Sequence, residues 1–162
     1  MKIGLIQLTS VLDYNFNLEK IRNYVREGKK LGVGNFFLPE GFYSLSDGLT
    51  VTPHYLAKGN EHEKNVLKLA KDEGVALLGG SVIYRVGDKF FNRALFISSS
   101  GEIMAYYDKI HLFYFQDKSD PKARSYHEAN LYTAGSSLTF FPWKDSWKIG
   151  ASICYDLRFP EL

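Results

Sequence analysis

The chain has one cysteine, Cys154, directly after the run Lys148-Ile149-Gly150-Ala151-Ser152-Ile153, which reads as a strand whose end would present the thiol to a crevice. A thiol becomes a nucleophile when a neighbouring cation lowers its pKa from about 8.5 or a base takes its proton. Without either, a lone cysteine is a small hydrophobe. Two other residues offer the missing parts. Glu40 stands immediately after Phe36-Phe37-Leu38-Pro39, at a buried strand end, where ligand sites in open sheets gather. It is either a general base or a surface residue of the turn Pro39-Glu40-Gly41. Lys109 lies within Tyr106-Tyr107-Asp108-Lys109-Ile110-His111-Leu112-Phe113. Most lysines are solvated, but one held in an apolar wall is an oxyanion donor and a partner for a thiolate.

The histidines offer a second arrangement. His111 and His127 flank one long loop, so a Cys-His pair is open, although Ile110-His111-Leu112 equally fits a packed histidine that orients the loop. His54, His62, His111 and His127 have no metal-ligand spacing with one another or with Cys154, so no metal is expected. Gly79-Gly80 lacks the Lys and Ser or Thr of a phosphate loop and is expected to permit close backbone approach. No cofactor is expected.

These residues need a scaffold. Ile3 to Leu8 suits a strand buried on both faces. A helix with Asn15 or Asn17 as N-cap carries Leu18, Ile21, Val25 and Leu31 at helical spacing until Gly32 and Gly34. Asn35 to Pro39 is the next strand, and a loop covers Gly41 to Gly48. Residues Glu61 to Glu73 form a second amphipathic helix ending at Gly74. Val75 to Tyr84 is a strand, and Phe90 to Ser98 with Glu102 to Tyr107 forms an antiparallel hairpin. Asp108 to Ser137 has no clear period, and a loop of that length is more often functional than idle. Leu138 to Trp143 and Trp147 to Ile153 are strands around the turn Lys144-Asp145-Ser146, and Asp156 to Glu161 opens a helix. The order β-α-β-α-β followed by hairpins implies a mixed sheet with helices on it, in a single domain over residues 1–162.

Composition sets the class. Of 162 residues, 45% are hydrophobic and 23% charged, so the α/β domain that the element order implies is globular rather than disordered. A net charge of +2 with interleaved signs excludes a basic face for nucleic acid. No apolar run approaches the roughly 18 residues of a membrane helix. A single cysteine and a start that leads straight into a strand point to a reducing, cytoplasmic compartment.

Three segments together resemble the nitrilase superfamily of carbon-nitrogen hydrolases: Phe37-Leu38-Pro39-Glu40-Gly41, Tyr107-Asp108-Lys109-Ile110-His111-Leu112-Phe113, and Ser152-Ile153-Cys154-Tyr155-Asp156-Leu157-Arg158-Phe159-Pro160-Glu161-Leu162. The similarity runs along the whole chain and is to the amidase-type branch, with omega-amidases and deaminated-glutathione amidases. The resemblance implies a four-layer α-β-β-α sandwich and a catalytic triad of Glu40, Lys109 and Cys154. It implies Glu128 as a support for the lysine, and Lys109 with the backbone N–H of Tyr155 as oxyanion donors. Arg158 is a further candidate substrate contact. It also implies a small amide substrate, release of ammonia through a cysteine thioester, and a homodimer or larger homo-oligomer. Family domains continue well past the cysteine, so the chain is expected to be the N-terminal portion of one, its C-terminal part missing. Two rival readings stand beside this: a non-catalytic remnant or interaction module, and a cysteine peptidase using His111 or His127.

Overall fold

The computed structural model describes residues 2–116, 125–143 and 147–162. Strand β1 (Gly4–Leu5) leads to helix α1 (Tyr14–Lys30), strands β2 (Asn35–Phe37) and β3 (Leu56–Ala57), helix α2 (Glu61–Glu73), and strands β4 (Ala76–Val86), β5 (Lys89–Ile97) and β6 (Ile103–Asp108). Four short strands follow, β7 (Tyr114–Phe115), β8 (Tyr126–His127), β9 (Phe140–Trp143) and β10 (Trp147–Gly150), with 3-10 turns at Glu128–Asn130 and Cys154–Arg158.

The main sheet runs β1-β2-β4-β5-β6, with β3 beside the far half of β4. The β1, β2, β3 and β4 pairings are parallel; β5 and β6 continue as antiparallel hairpins. Both faces are covered. On one, Leu18, Ile21 and Val25 of α1 and Val66, Leu69 and Ala70 of α2 meet Phe36, Leu77, Val82, Tyr84, Leu95 and Ile97. On the other, the β9-β10 hairpin lays Phe141 on Leu78 and Phe96, with Trp143 and Ile149 beside them. The rings of Phe96 and Phe141 stack at 5.3 Å. Helices, main sheet and hairpin thus form three of the four layers of an α-β-β-α arrangement among the described residues.

Strand β4 changes face midway. Leu77 points to the helices, but so do Val82 and Tyr84, which an unbroken two-residue alternation forbids. The register shift between Leu78 and Ser81 resolves this, and Gly79, at φ +70°, is the residue that allows it. Gly80 has the close approach expected of the pair, since a Cβ there would lie 2.4 Å from Leu38 Cβ and 2.7 Å from Phe42 Cδ1.

Several local expectations are corrected. The N-cap of α1 is Asp13, whose carboxylate accepts the N–H groups of Asn15 and Phe16. Asn17 is buried instead, with its Nδ2 donating to Val11 O at 2.7 Å and Tyr43 O at 2.9 Å. An asparagine satisfies loop backbone as readily as a helix end, which is why the sequence left the choice open. The first strand is not buried on both faces, because Leu5 is 78% exposed on the side the hairpin does not reach. Strand β3 was not foreseen; two residues give no period to read. The last strand ends at Gly150, so Ile153 lies beyond it. The Lys144-Asp145-Ser146 turn and residues 117–124 of the long loop lie outside the described residues.

Candidate active site

The β4 bulge is also what fixes Glu40. Where β2 stops and before β3 begins, the segment from Leu38 to Phe42 runs along β4 in an irregular path. It is tied by Leu38 N–H to Leu78 O (3.1 Å), Ser81 N–H to Pro39 O (3.3 Å) and Phe42 N–H to Ser81 O (3.2 Å). Ser81 Oγ accepts Gly41 N–H at 3.1 Å. Glu40 therefore projects from a backbone pinned on both sides of it, at a carboxyl end of the parallel strands.

Lys109 begins where β6 ends, its N–H bonded to Asn92 O (2.9 Å) and its O to Gly135 N–H (2.8 Å). The side chain is 2% exposed, so its ammonium must be paired. Nζ lies 3.4 Å from Glu40 Oε1 and 3.1 and 3.0 Å from the two oxygens of Glu128. Burial works against the ammonium, but the charges of Glu40 and Glu128 and the hydrogen bond to Glu128 outweigh it, leaving the pKa above the ordinary lysine value. Glu128 opens a 3-10 turn, is 4% exposed, and is held from the other side by Phe113 N–H, 2.6 Å from Oε2.

Cys154 starts the next 3-10 turn and is exposed. Its φ of 48° is the one left-handed backbone angle outside glycine among the described residues, a conformation that persists only where the surroundings enforce it. Asp156 does the enforcing. Its buried carboxylate accepts Ile153 N–H (2.9 Å), Tyr107 O–H (2.8 Å) and His111 N–H (2.9 Å), and lies 2.9 Å from His111 Nδ1. Burial raises its pKa, yet these four donors together bring it below the usual carboxylate range. The His111 ring also stacks on Phe159 at 3.7 Å. Hence one nitrogen of His111 is committed to Asp156. His127 packs its ring against Tyr114. Neither adds to the causes that shift the Cys154 thiol.

Those causes are burial first, then the Glu40 charge, a hydrogen bond to Glu40 and the Glu128 charge, all raising the pKa, with Lys109 opposing; the net shift is upward. The expected cation is there but does not win. The thiol stays protonated near neutral pH, and the group beside it able to take the proton is Glu40. From the long loop, Tyr126 and Tyr132 face the same carboxylates; burial first, with Glu128 contributing, raises both hydroxyls, Tyr132 to about 12.

The structure thus brings together Glu40, Lys109, Glu128 and Cys154, and places Tyr155 in the first turn of a helix whose leading N–H groups have no intrahelical acceptor. Arg158 is exposed. Sequence reasoning missed Ser81, Asn92 and Asp156. Asp156 stood inside a quoted segment, but nothing in its type distinguishes a loop clamp from a solvated carboxylate. Among the described residues no group of three or more His, Cys, Asp or Glu could hold a metal, and no helix is long and apolar enough to cross a membrane.

The carbon-nitrogen hydrolase family profile matches residues 2–162. A chloroplastic omega-amidase of Arabidopsis thaliana is 32% identical over 165 residues, covering 99% of this chain and 44% of the relative. A deaminated glutathione amidase of Dictyostelium discoideum is 32% identical over 170 residues, covering 99% and 57%. The crystal structure of the C. elegans NitFhit protein superposes with a TM-score of 0.79 at 27% identity, over 99% of this chain and 39% of that one. The chain spans about half the length of the curated relatives it matches. On the strength of a profile match along nearly its whole length, the chain belongs to the carbon-nitrogen hydrolase family.

Proposed function

We propose that the protein carrying this chain is an amidase that hydrolyses a small carboxamide to a carboxylate and ammonia. The observation that carries the reading is the buried Lys109 ammonium held between Glu40 and Glu128, beside a thiol whose pKa burial first, and Glu40 with it, raises. Cys154 Sγ attacks the carboxamide carbon while Glu40 takes the thiol proton. Lys109 and the Tyr155 N–H hold the developing oxyanion, each such donor contributing about 2.7–4 kcal/mol in comparable sites. Collapse of the tetrahedral intermediate breaks the C–N bond, and Glu40 returns the proton to the departing ammonia. Water, deprotonated by Glu40, then attacks the thioester and regenerates the thiol.

Omega-amidases and deaminated glutathione amidases among the relatives support a substrate with a terminal carboxamide on a short acid. A cytoplasmic location and a homo-oligomer belong to the same reading. Ammonia release from a panel of small terminal amides, nitriles and casein tests it. Turnover of an amide that Cys154→Ala abolishes supports the proposal, whereas hydrolysis of casein alone returns the peptidase reading, and no turnover on any substrate returns the non-catalytic one.

A further inference from the structure

Asn92 on β5 is buried, and nothing in the reaction above uses it. Its Nδ2 donates to Glu40 Oε1 at 2.7 Å, shorter than the 3.4 Å from Lys109 Nζ to the same oxygen. A carboxylate only accepts, so the amide must turn its nitrogen this way. The consequence is visible at the other end of the group, where Asn92 Oδ1 is buried without a hydrogen-bond partner, the one such side-chain atom among the described residues. An orphaned buried acceptor opposes folding, and a leucine of similar size would avoid it. Packing alone does not explain an amide here. Its backbone adds a second tie, since Asn92 O accepts the N–H of Lys109 at 2.9 Å.

We infer that Asn92 is a positioning residue: it fixes the Glu40 carboxylate through Oε1 and sets the start of the Lys109 segment, so that base and ammonium keep one geometry about Cys154. With Oε1 occupied by Asn92 and Lys109, Oε2 is the oxygen of Glu40 left for the thiol proton. The single residue thereby couples the two halves of the site, the loop pinned to β4 and the end of β6. The inference rests on the amidase reading for its meaning in turnover, but not for its geometry.

Its test uses alkylation of Cys154 by iodoacetamide across pH in the full-length protein, followed by peptide mass mapping, which needs no substrate. Because Glu40 raises the thiol pKa, Glu40→Gln moves the alkylation midpoint to lower pH. Asn92→Leu, which frees Glu40 from its place, moves it in the same direction by part of that amount, and adds nothing in the Glu40→Gln background. Thermal unfolding of Asn92→Leu stays at or above the parent midpoint, since the orphaned acceptor is gone. On an amide substrate the variant loses about 10²-fold in kcat with KM little changed, and Asn92→Asp, which keeps shape but places a second carboxylate beside Glu40, does not rescue it. An unmoved or raised alkylation midpoint in Asn92→Leu, or an equal shift in both backgrounds, overturns the inference. Phenocopy in alkylation with no amide turnover in the parent would instead leave the positioning role standing and remove the amidase reading.

Discussion

Holding a non-glycine residue at a φ of 48° requires neighbours that leave it no alternative, and around Cys154 that demand falls on Asp156. Replacing it with Ala orphans Ile153 N–H, His111 N–H and the Tyr107 hydroxyl, at about 1–3 kcal/mol for each buried group, so denaturant unfolding should show a loss of roughly 3 kcal/mol or more. Its pH signature follows from the sign of its shift. The folded carboxyl lies below the usual range, so its contribution is complete above the unfolded value of about 3.9 and disappears as pH falls through the folded one. Asp156→Asn should therefore flatten the acid arm of a plot of unfolding midpoint against pH; an arm as steep as the parent's would contradict the assignment. In the proposed mechanism Glu128 stands one step further from the chemistry. Glu128→Gln keeps the Phe113 N–H acceptor but removes the charge facing Lys109, and turnover should fall about 10²-fold with an unaltered far-ultraviolet spectrum. Activity equal to the parent would make Glu128 a structural partner only.

At the scale of elements, the site depends on where strands fail rather than on where they run. The bulge at Gly79-Gly80 switches the faces of β4, and Leu38 to Phe42 is tied to the strand on either side of it. Gly80→Ala would drive a methyl into Leu38 and Phe42, costing about 1–3 kcal/mol as overpacking and displacing Glu40 with its loop. The measurement is kcat against unfolding free energy, and the expectation is a loss of activity larger than the loss of stability explains. Loss of stability alone would show that the loop tolerates the shift. The sequence made the long regular elements plain, because α2 and the β5-β6 hairpin carry their own periods and stops, such as Gly74 at φ 64°. It singled out Glu40, Lys109 and Cys154 as candidates through their odd neighbours, and the family resemblance joined them into one proposed site. It did not show Asn92 or Ser81, since a polar residue on a strand announces nothing until its partner from a distant segment is known. Nor did it show the Asp13 cap, since the choice lay between Asn15 and Asn17 and passed over the aspartate two residues before Asn15.

Across the whole molecule, a double-sided sheet buries Lys109 and Glu128 and leaves Glu40 more open, but apolar surface remains outside it. Leu138, Phe140, Trp147 and Leu157 are all exposed around the β9-β10 hairpin, and β10 pairs only with β9 among the described residues. Contiguous apolar surface beside an open strand edge favours association. The 162-residue chain in isolation should show a concentration-dependent increase in mass by light scattering, reduced by Phe140→Glu with Trp147→Glu; a monomer at all concentrations would refute this. The central claim nevertheless concerns one bond. Intact-mass spectrometry of the full-length protein during turnover of a small terminal amide should reveal a fraction heavier by the acyl group of that amide, located by peptide mapping on Cys154 and absent from Cys154→Ala. Ammonia release that continues in Cys154→Ala, with no acyl adduct on the parent, would contradict the account.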